Sequence, residues 1–234
     1  MAPVFDNVTA IAGNNISSLT TAAFTVAAGA TYLYMGYAGL AGEVVSSVAC
    51  GATGIENALS FLAAEQGSRR SEYWYIKSPP TGSIKVKATF AGTFFAMAIG
   101  TASYTGVDTT TPHGTHGSAS SSTGTVSVVL SSATGELAVD ALACTGVGAS
   151  VGAGQTQRWL ATGAGVRQTR GSGEAGAASV TMSWSNSPDN HNISLIAVPL
   201  KPAAVTPTGV GAHGAMYPRM QQHIHQSWTV PRIG

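Results

Sequence analysis

Apolar and polar residues alternate along most of the chain, which is the pattern of β-strands with one buried face. In Ser83–Phe90, the apolar side chains of Ile84, Val86 and Ala88 fall on one face, and the lysines between them fall on the other. This pattern predicts a fold built from strands. The same period of two recurs in further segments, namely Arg70–Lys77, Val126–Leu130, Leu137–Ala141, Val180–Trp184 and Ile193–Ala197.

Turn-forming residues separate these segments, for example in Pro79–Gly82 and Pro188–Asn190. Counting gives about ten to twelve short strands with a turn roughly every ten residues, a spacing typical of sandwiches and jelly rolls. We therefore predict an all-β fold, an antiparallel β-sandwich of jelly-roll type. A helix over Ile55–Gln66 is the alternative to a strand over Ser60–Ala64. The remaining strand candidates are Ala22–Val26, Thr31–Tyr37, Glu43–Cys50, Phe94–Tyr104 and Gln157–Thr162.

Two segments and the C-terminal region depart from the alternating pattern. Thr109–Thr125 and Gly163–Ala178 are rich in Gly, Ser and Thr, which predicts long exposed loops. Five of the ten prolines fall at or after Pro199. This shift in composition predicts a sandwich domain over residues 1–200, followed over residues 201–234 by a linker and an extended C-terminal arm.

The arm carries apolar and aromatic residues without the alternation of a core strand. It either docks on a neighbouring subunit or folds back onto its own domain, and the sequence leaves both open. Buried aromatic side chains often dominate interface energetics. Tyr217, Ile224 and Trp228 are therefore the candidate partner-binding residues of the arm.

Charge is scarce, and its scarcity excludes several classes of protein. Charged residues make up 9% of the 234 residues, and the formal net charge is +1. A disordered chain needs more charge, and a nucleic-acid binder needs clustered Lys and Arg. The uncharged stretch 7–42 contains too many polar residues for a membrane-spanning helix, and Met1–Val4 does not begin a secretory signal. We therefore expect neither a nucleic-acid nor a membrane partner.

Candidate catalytic and metal-binding residues are few. Glu65 and Glu72 are the nearest carboxylate pair, but they flank two arginines, which favours surface ion pairing over acid–base catalysis. Asp108, His113 and His116 have residue types that bind Zn²⁺, but they lie in a Ser/Gly segment without an evident second shell. We therefore predict no enzyme, no metal site and no cofactor.

Two further motifs, a glycine-rich run and a pair of cysteines, do not indicate a binding or redox site. Gly171–Gly176 spells GxGxxG, but it lacks the buried strand before it and the helix after it that a dinucleotide-binding loop requires. Cys50 and Cys144 are far apart in sequence, and a chain of this length can bury its own core without a disulfide. We expect two buried thiols, although a disulfide between them remains an alternative.

The aromatic run Tyr73, Trp74 and Tyr75 allows two interpretations. Tyr73 and Tyr75 share one face of a strand and are candidate glycan-binding residues if that face is exposed. Alternatively, Trp74 packs in the core and the two tyrosines pack against neighbouring strands, which is the favoured interpretation.

Four stretches of the chain carry a resemblance by their order and spacing, namely Arg69–Gly82, Ala102–Asp108, Gly152–Thr156 and Ile196–Pro202. Together they are similar to a loose group of uncharacterised virion proteins of tailed bacteriophages. The resemblance covers residues 20–202 and implies a β-sandwich of the phage particle without known catalytic residues. The pair His223 and His225 in the arm is also similar to the metal-binding pattern of some trimeric phage spike tips, although solvent-exposed histidines are the favoured interpretation.

The resemblance and the low charge lead to one favoured functional hypothesis and one alternative. The favoured hypothesis is a capsid decoration (cement) protein, made in the host cytoplasm and carried on the virion. It would form a trimer and contact the major capsid protein or other virion subunits. The alternative is a carbohydrate- or receptor-binding module of a tail fibre or baseplate, acting through Tyr73 and Tyr75 or through the two expected loops.

Overall fold

A computed structural model describes residues 1–146, 148–185 and 192–204. Sixteen strands and one short 3-10 helix, Ala164–Val166, account for the regular structure of these residues. The strands are β1 Val4–Thr20, β2 Phe24–Val26, β3 Ala30–Leu40, β4 Val45–Gly51, β5 Asn57–Ala58, β6 Ser60–Gln66, β7 Arg69–Lys77, β8 Gly82–Thr105, β9 Gly117–Ser121, β10 Thr125–Ser131, β11 Leu137–Thr145, β12 Ser150–Val151, β13 Thr156–Thr162, β14 Arg167–Ala175, β15 Ser179–Ser185 and β16 Ile193–Leu200.

The strands form three antiparallel sheets. The largest has eight strands, in the order β5-β4-β8-β3-β7-β6, with β1 and β2 also paired to β8. The second has the order β13-β14-β11-β16-β9, and the third has the order β10-β15-β12. The predicted all-β antiparallel fold is confirmed. It contains three packed sheets, whereas a jelly roll contains two.

The long strand β8 bends and folds the eight-stranded sheet onto itself. Its pairing with β1 shifts register between Ile16 and Ser18, whose partners are Phe94 and Thr89. The two halves of β8 then face each other across a hydrophobic core, to which Val86 and Ile99 both contribute. The bend therefore creates the first of three cores within a single sheet.

The other two cores lie between sheets. The second core joins the eight-stranded and five-stranded sheets and contains Tyr34, Tyr73 and Trp159. The third joins the five-stranded and three-stranded sheets and contains Val128 and Trp184. The middle sheet is covered on both faces, so β11 and β16 are buried almost throughout.

The structure decides one alternative and corrects two local predictions. The segment 55–66 contains the strands β5 and β6, which confirms the strand over Ser60–Ala64 and excludes the alternative helix. The expected loop 163–178 contains β14, a strand with neighbours on both sides, and the expected loop 109–125 contains β9. Glycine and serine mislead here because their small side chains permit close packing between covered sheets as readily as they permit turns.

Residues 1–204 form one compact unit. Lys201 to Ala203 are still attached to it, since Pro202 bridges to Val107 and the Ala203 amide donates to the Gly106 carbonyl at 2.7 Å. The proposed arm anchors Tyr217, Ile224 and Trp228 lie outside the described residues, as do His223 and His225. Among the described residues, no helix is long and apolar enough to span a membrane.

Candidate functional site

Tyr73 cannot belong to an exposed glycan-binding platform, because its side chain is 0% exposed. Its ring stacks on Tyr34 with 4.6 Å between ring centroids, inside the second core. The adjacent Trp74 is buried on the opposite face of β7, in the first core. Both faces of β7 are therefore covered by protein at these positions. The prediction that Tyr73 belongs to an exposed face is wrong. The prediction that Trp74 packs in the core is confirmed.

Tyr75 lies closer to the surface and is half-buried. Its ring stacks on Tyr32 at 5.7 Å and meets the edge of His113 at 4.9 Å. Burial lowers the pKa of His113, which favours its neutral form. Of the predicted glycan-binding face, only Tyr75 therefore remains partly accessible, and it packs beside His113.

The candidate metal ligands do not converge. The Asp108 carboxylate accepts the backbone N–H groups of Thr110 and Thr111 at 2.6 and 2.9 Å, and these bonds lower its pKa. His113 packs against Tyr75 instead. Within the described ranges, no group of three His, Cys, Asp or Glu side chains is placed to hold a metal ion.

Glu65 and Glu72 have separate structural roles. Glu72 is fully buried and pairs with the Arg70 Nε at 2.6 Å, while it also accepts the Trp74 Nε1–H at 2.8 Å. Glu65 accepts the Ser118 hydroxyl at 2.6 Å. The predicted ion pairing is present at Glu72, but it lies in the interior instead of on the surface.

Asp140 is a buried carboxylate that the sequence analysis did not single out. It lies on β11 and is 0% exposed. Its oxygens accept the Ser172 amide at 2.6 Å, the Ser172 hydroxyl at 2.8 Å, the Trp184 Nε1–H at 2.7 Å and the Gln155 amide at 3.3 Å. Burial raises its pKa to about 6, and the hydrogen bonds from Trp184 and Ser172 oppose that shift. The only signal in the sequence is an acidic residue inside the apolar segment Leu137–Cys144.

The glycine motif serves packing. Gly171 lies in β14 directly opposite Trp159 of β13, and a Cβ at this position would collide with the Trp159 ring. The same ring enters a hollow in the eight-stranded sheet, where Gly36 and Gly100 are cross-strand partners. The interpretation of GxGxxG as accidental is confirmed, since the motif lies in a strand and no helix follows it in the described chain.

Both cysteines are free and buried, which confirms the thiol interpretation. Burial raises the pKa of Cys50 to about 12 and that of Cys144 to about 11. We expect neither thiol to react with a thiol reagent at pH 8 until the protein unfolds, because the reactive thiolate is disfavoured and inaccessible. Counting modified thiols with and without denaturant checks this. Rapid modification of the native protein would contradict it.

The feature best suited to a function is a shared sheet edge, formed by the outer strands β6, β9 and β10. Among the described strands, each is the last of a different sheet, and contacts between β9 and the other two place all three on the same side of the domain. β9 contacts both of the others: Ser118 donates to Glu65 of β6, and Gly117 packs against Val128 of β10. Three stacked sheets therefore end together, and we call this surface the open edge.

The open edge lacks most of the features that protect natural sheet edges. Glu65 is the single charged residue of its three strands, and none of them contains a proline. Phe61 and Val129 are 49% and 67% exposed on it. A bulge between Phe61 and Ala63 of β6 is one protecting feature of the open edge. On the opposite side, β13 carries both Arg158 and a bulge at that residue. An unprotected edge offers unpaired backbone groups to a further strand.

Comparison with known proteins does not assign a family, since no protein-family model, curated protein or solved structure matches the chain.

Proposed function

We propose that this protein is a non-enzymatic structural subunit of a tailed-phage virion, acting as a capsid decoration protein. The observation that carries the proposal is the open edge, a nearly uncharged surface with exposed apolar side chains. Surfaces of this kind mark sites of protein association. The phage assignment itself rests on the sequence resemblance.

The mechanism is burial of surface between subunits. Interface cores are depleted in charge, and a chain with 9% charged residues can cover much of its surface in an assembly. The open edge would contact other virion subunits, such as the major capsid protein, or further copies of this chain. Tyr217 and Trp228 of the arm would anchor it on a neighbour. These contacts would hold the capsid together against the pressure of packaged DNA.

The buried polar groups of the described chain are consistent with a structural role. Asp140 and Glu72 are the fully buried carboxylates, and each is engaged by several donors from its own domain. Neither faces an open cleft in which a substrate would meet it. Both carboxylates therefore contribute to the packing of the sheets.

The location of the protein in purified particles tests the proposal. We expect cryo-electron microscopy with quantitative mass spectrometry to find many copies spread over the head lattice. Particles that lack the protein should lose heat resistance. Trp228→Ala should reduce its occupancy on heads, whereas the neighbouring Gln226→Ala should not.

Other locations would overturn all or part of the proposal. A few copies confined to the tail would exclude a decoration protein and favour the glycan-binding alternative, with half-buried Tyr75 as the residue to mutate in a glycan screen. Complete absence from purified particles would exclude a virion role.

A further inference from the structure

We infer that strand β10 pairs edge to edge with β10 of a second copy, in antiparallel orientation about a two-fold axis. The inference rests on the proposed function, because it names the partner of the open edge. Within residues 1–146, 148–185 and 192–204, β10 is paired on one side only, where all seven of its residues pair with β15 without a register shift. No described residue forms a backbone hydrogen bond with its other side.

The sequence of β10 is complementary to itself in this arrangement. A two-fold axis through Val128 places Val126 opposite Leu130 of the second copy and Ser127 opposite its Val129. The buried row of Val126, Val128 and Leu130 would then continue the third core across the contact. The exposed row would place small hydroxyl side chains beside the exposed Val129.

Electrostatic repulsion does not oppose the contact. Like charges directly opposite each other destabilise a strand pair, and β10 carries no charge, so the two copies meet without repulsion. Natural edges avoid such pairing through lysines, prolines or bulges, and none of these occurs in β10. The strand therefore lacks the features that would keep a second copy away.

The other two strands of the open edge, β9 and β6, can follow the same two-fold symmetry. A two-fold axis normal to the sheets maps each sheet onto its own level, so β9 approaches β9 and β6 approaches β6 of the second copy. In β9, every residue is Gly, Ser or Ala, which permits close approach. In β6, Glu65 is the single charged residue, and a bulge lies between Phe61 and Ala63. The β10 and β9 layers of the open edge are thus compatible with an isologous contact.

Sedimentation velocity of the full chain over a range of micromolar concentrations tests the pairing. We expect the mass of a dimer for the native protein, instead of the trimer expected from the sequence. Combining Ser127→Lys with Val129→Lys sets lysine opposite lysine twice in the two-fold register. This should weaken association on the order of tenfold or more.

Two further variants make the test specific to β10 and to its register. Combining Ser127→Glu with Val129→Lys sets glutamate opposite lysine, so it should restore the dimer. Thr181→Lys is the matched control, because Thr181 is the partner of Val129 on the inner strand β15 and is also exposed. It should leave association unchanged. Circular dichroism and melting confirm that each variant is folded.

The outcomes separate this inference from the proposed function. A native monomer, a trimer, or a dimer that the double-lysine variant leaves intact would overturn the pairing of β10. The virion role would still stand if the protein is found on heads. A dimer disrupted and restored as described would support the pairing even if particles contain none of the protein, in which case the virion role fails alone.

Discussion

Replacing Asp140 with alanine is expected to lower the free energy of unfolding by about 3–5 kcal/mol. The substitution removes the acceptor for the Ser172 amide and hydroxyl, the Trp184 Nε1–H and the Gln155 amide. These donors are inside the protein, where water cannot replace the lost partner. Urea-induced unfolding followed by tryptophan fluorescence measures the change.

Asp108→Ala is the control for the loss of a carboxylate. Asp108 also accepts two backbone N–H groups, but it lies at the surface, where water can take its place. Its loss should shift the midpoint far less. Equal effects at the two positions would show that the buried network does not hold the sheets together.

The raised pKa of Asp140 predicts that the free energy of unfolding depends on pH. The pKa of Asp140 is about 6 in the folded protein, above its ordinary value of 3.8, so the folded state binds the proton more tightly. Its contribution to stability therefore increases as the pH falls from about 6 to about 4, by about 3 kcal/mol in total. Above pH 6 the carboxylate is charged in both states, and this contribution is absent.

The difference between the native protein and Asp140→Asn isolates this contribution. Glu56 acts in the opposite direction, since hydrogen bonds from Thr53 lower its pKa to about 2 and its stabilisation is lost in acid. Glu56 is present in both proteins, so its effect cancels. A difference that stays constant between pH 7 and pH 4 would contradict the raised pKa of Asp140.

Gly171→Ala is the second substitution with a large expected effect, a loss of about 3 kcal/mol in the free energy of unfolding. The added methyl group would overlap the Trp159 ring, which is only 4% exposed. The ring cannot retreat, because Gly36 and Gly100 of the next sheet hold its other side. Unfolding in urea measures the loss.

Gly173→Ala is the matched control for this prediction. It lies two residues along the same strand, and a Cβ there would meet its nearest neighbour, the Ala138 carbonyl oxygen, at 3.5 Å, an ordinary contact. We expect its effect to stay within about 1 kcal/mol of zero. If both variants were equally unstable, the cause would be the loss of glycine from a strand and not a collision with Trp159.

The alternation of residues was sufficient for strands with one covered face. β10 shows this clearly, because Val126, Val128 and Leu130 are buried while the residues between them are exposed. It was insufficient for β1, which the sequence analysis missed. Its 17 residues include Gly13 to Asn15 and are mostly half-buried, so neither face gives a regular apolar row.

The open edge could likewise be predicted from the sequence only in part. From the sequence, the low charge and the uncharged strand at residues 125–131 were visible. That this strand ends a sheet, beside the ends of two other sheets, was not visible. Strand order depends on pairings between residues far apart in the chain, such as β10 with β15, and a local pattern carries no information about them.

The sequence by itself determined the all-β class, most strand positions and the shortage of charge, because these depend on side chains close together in the chain. Only the tertiary structure decided which faces are buried. It turned Tyr73 inward, placed Asp140 among its donors and fitted Trp159 between glycines of three strands. The physical reason is that burial belongs to a pair of packed surfaces, and a strand covered by a second sheet hides residues that its own pattern would leave exposed.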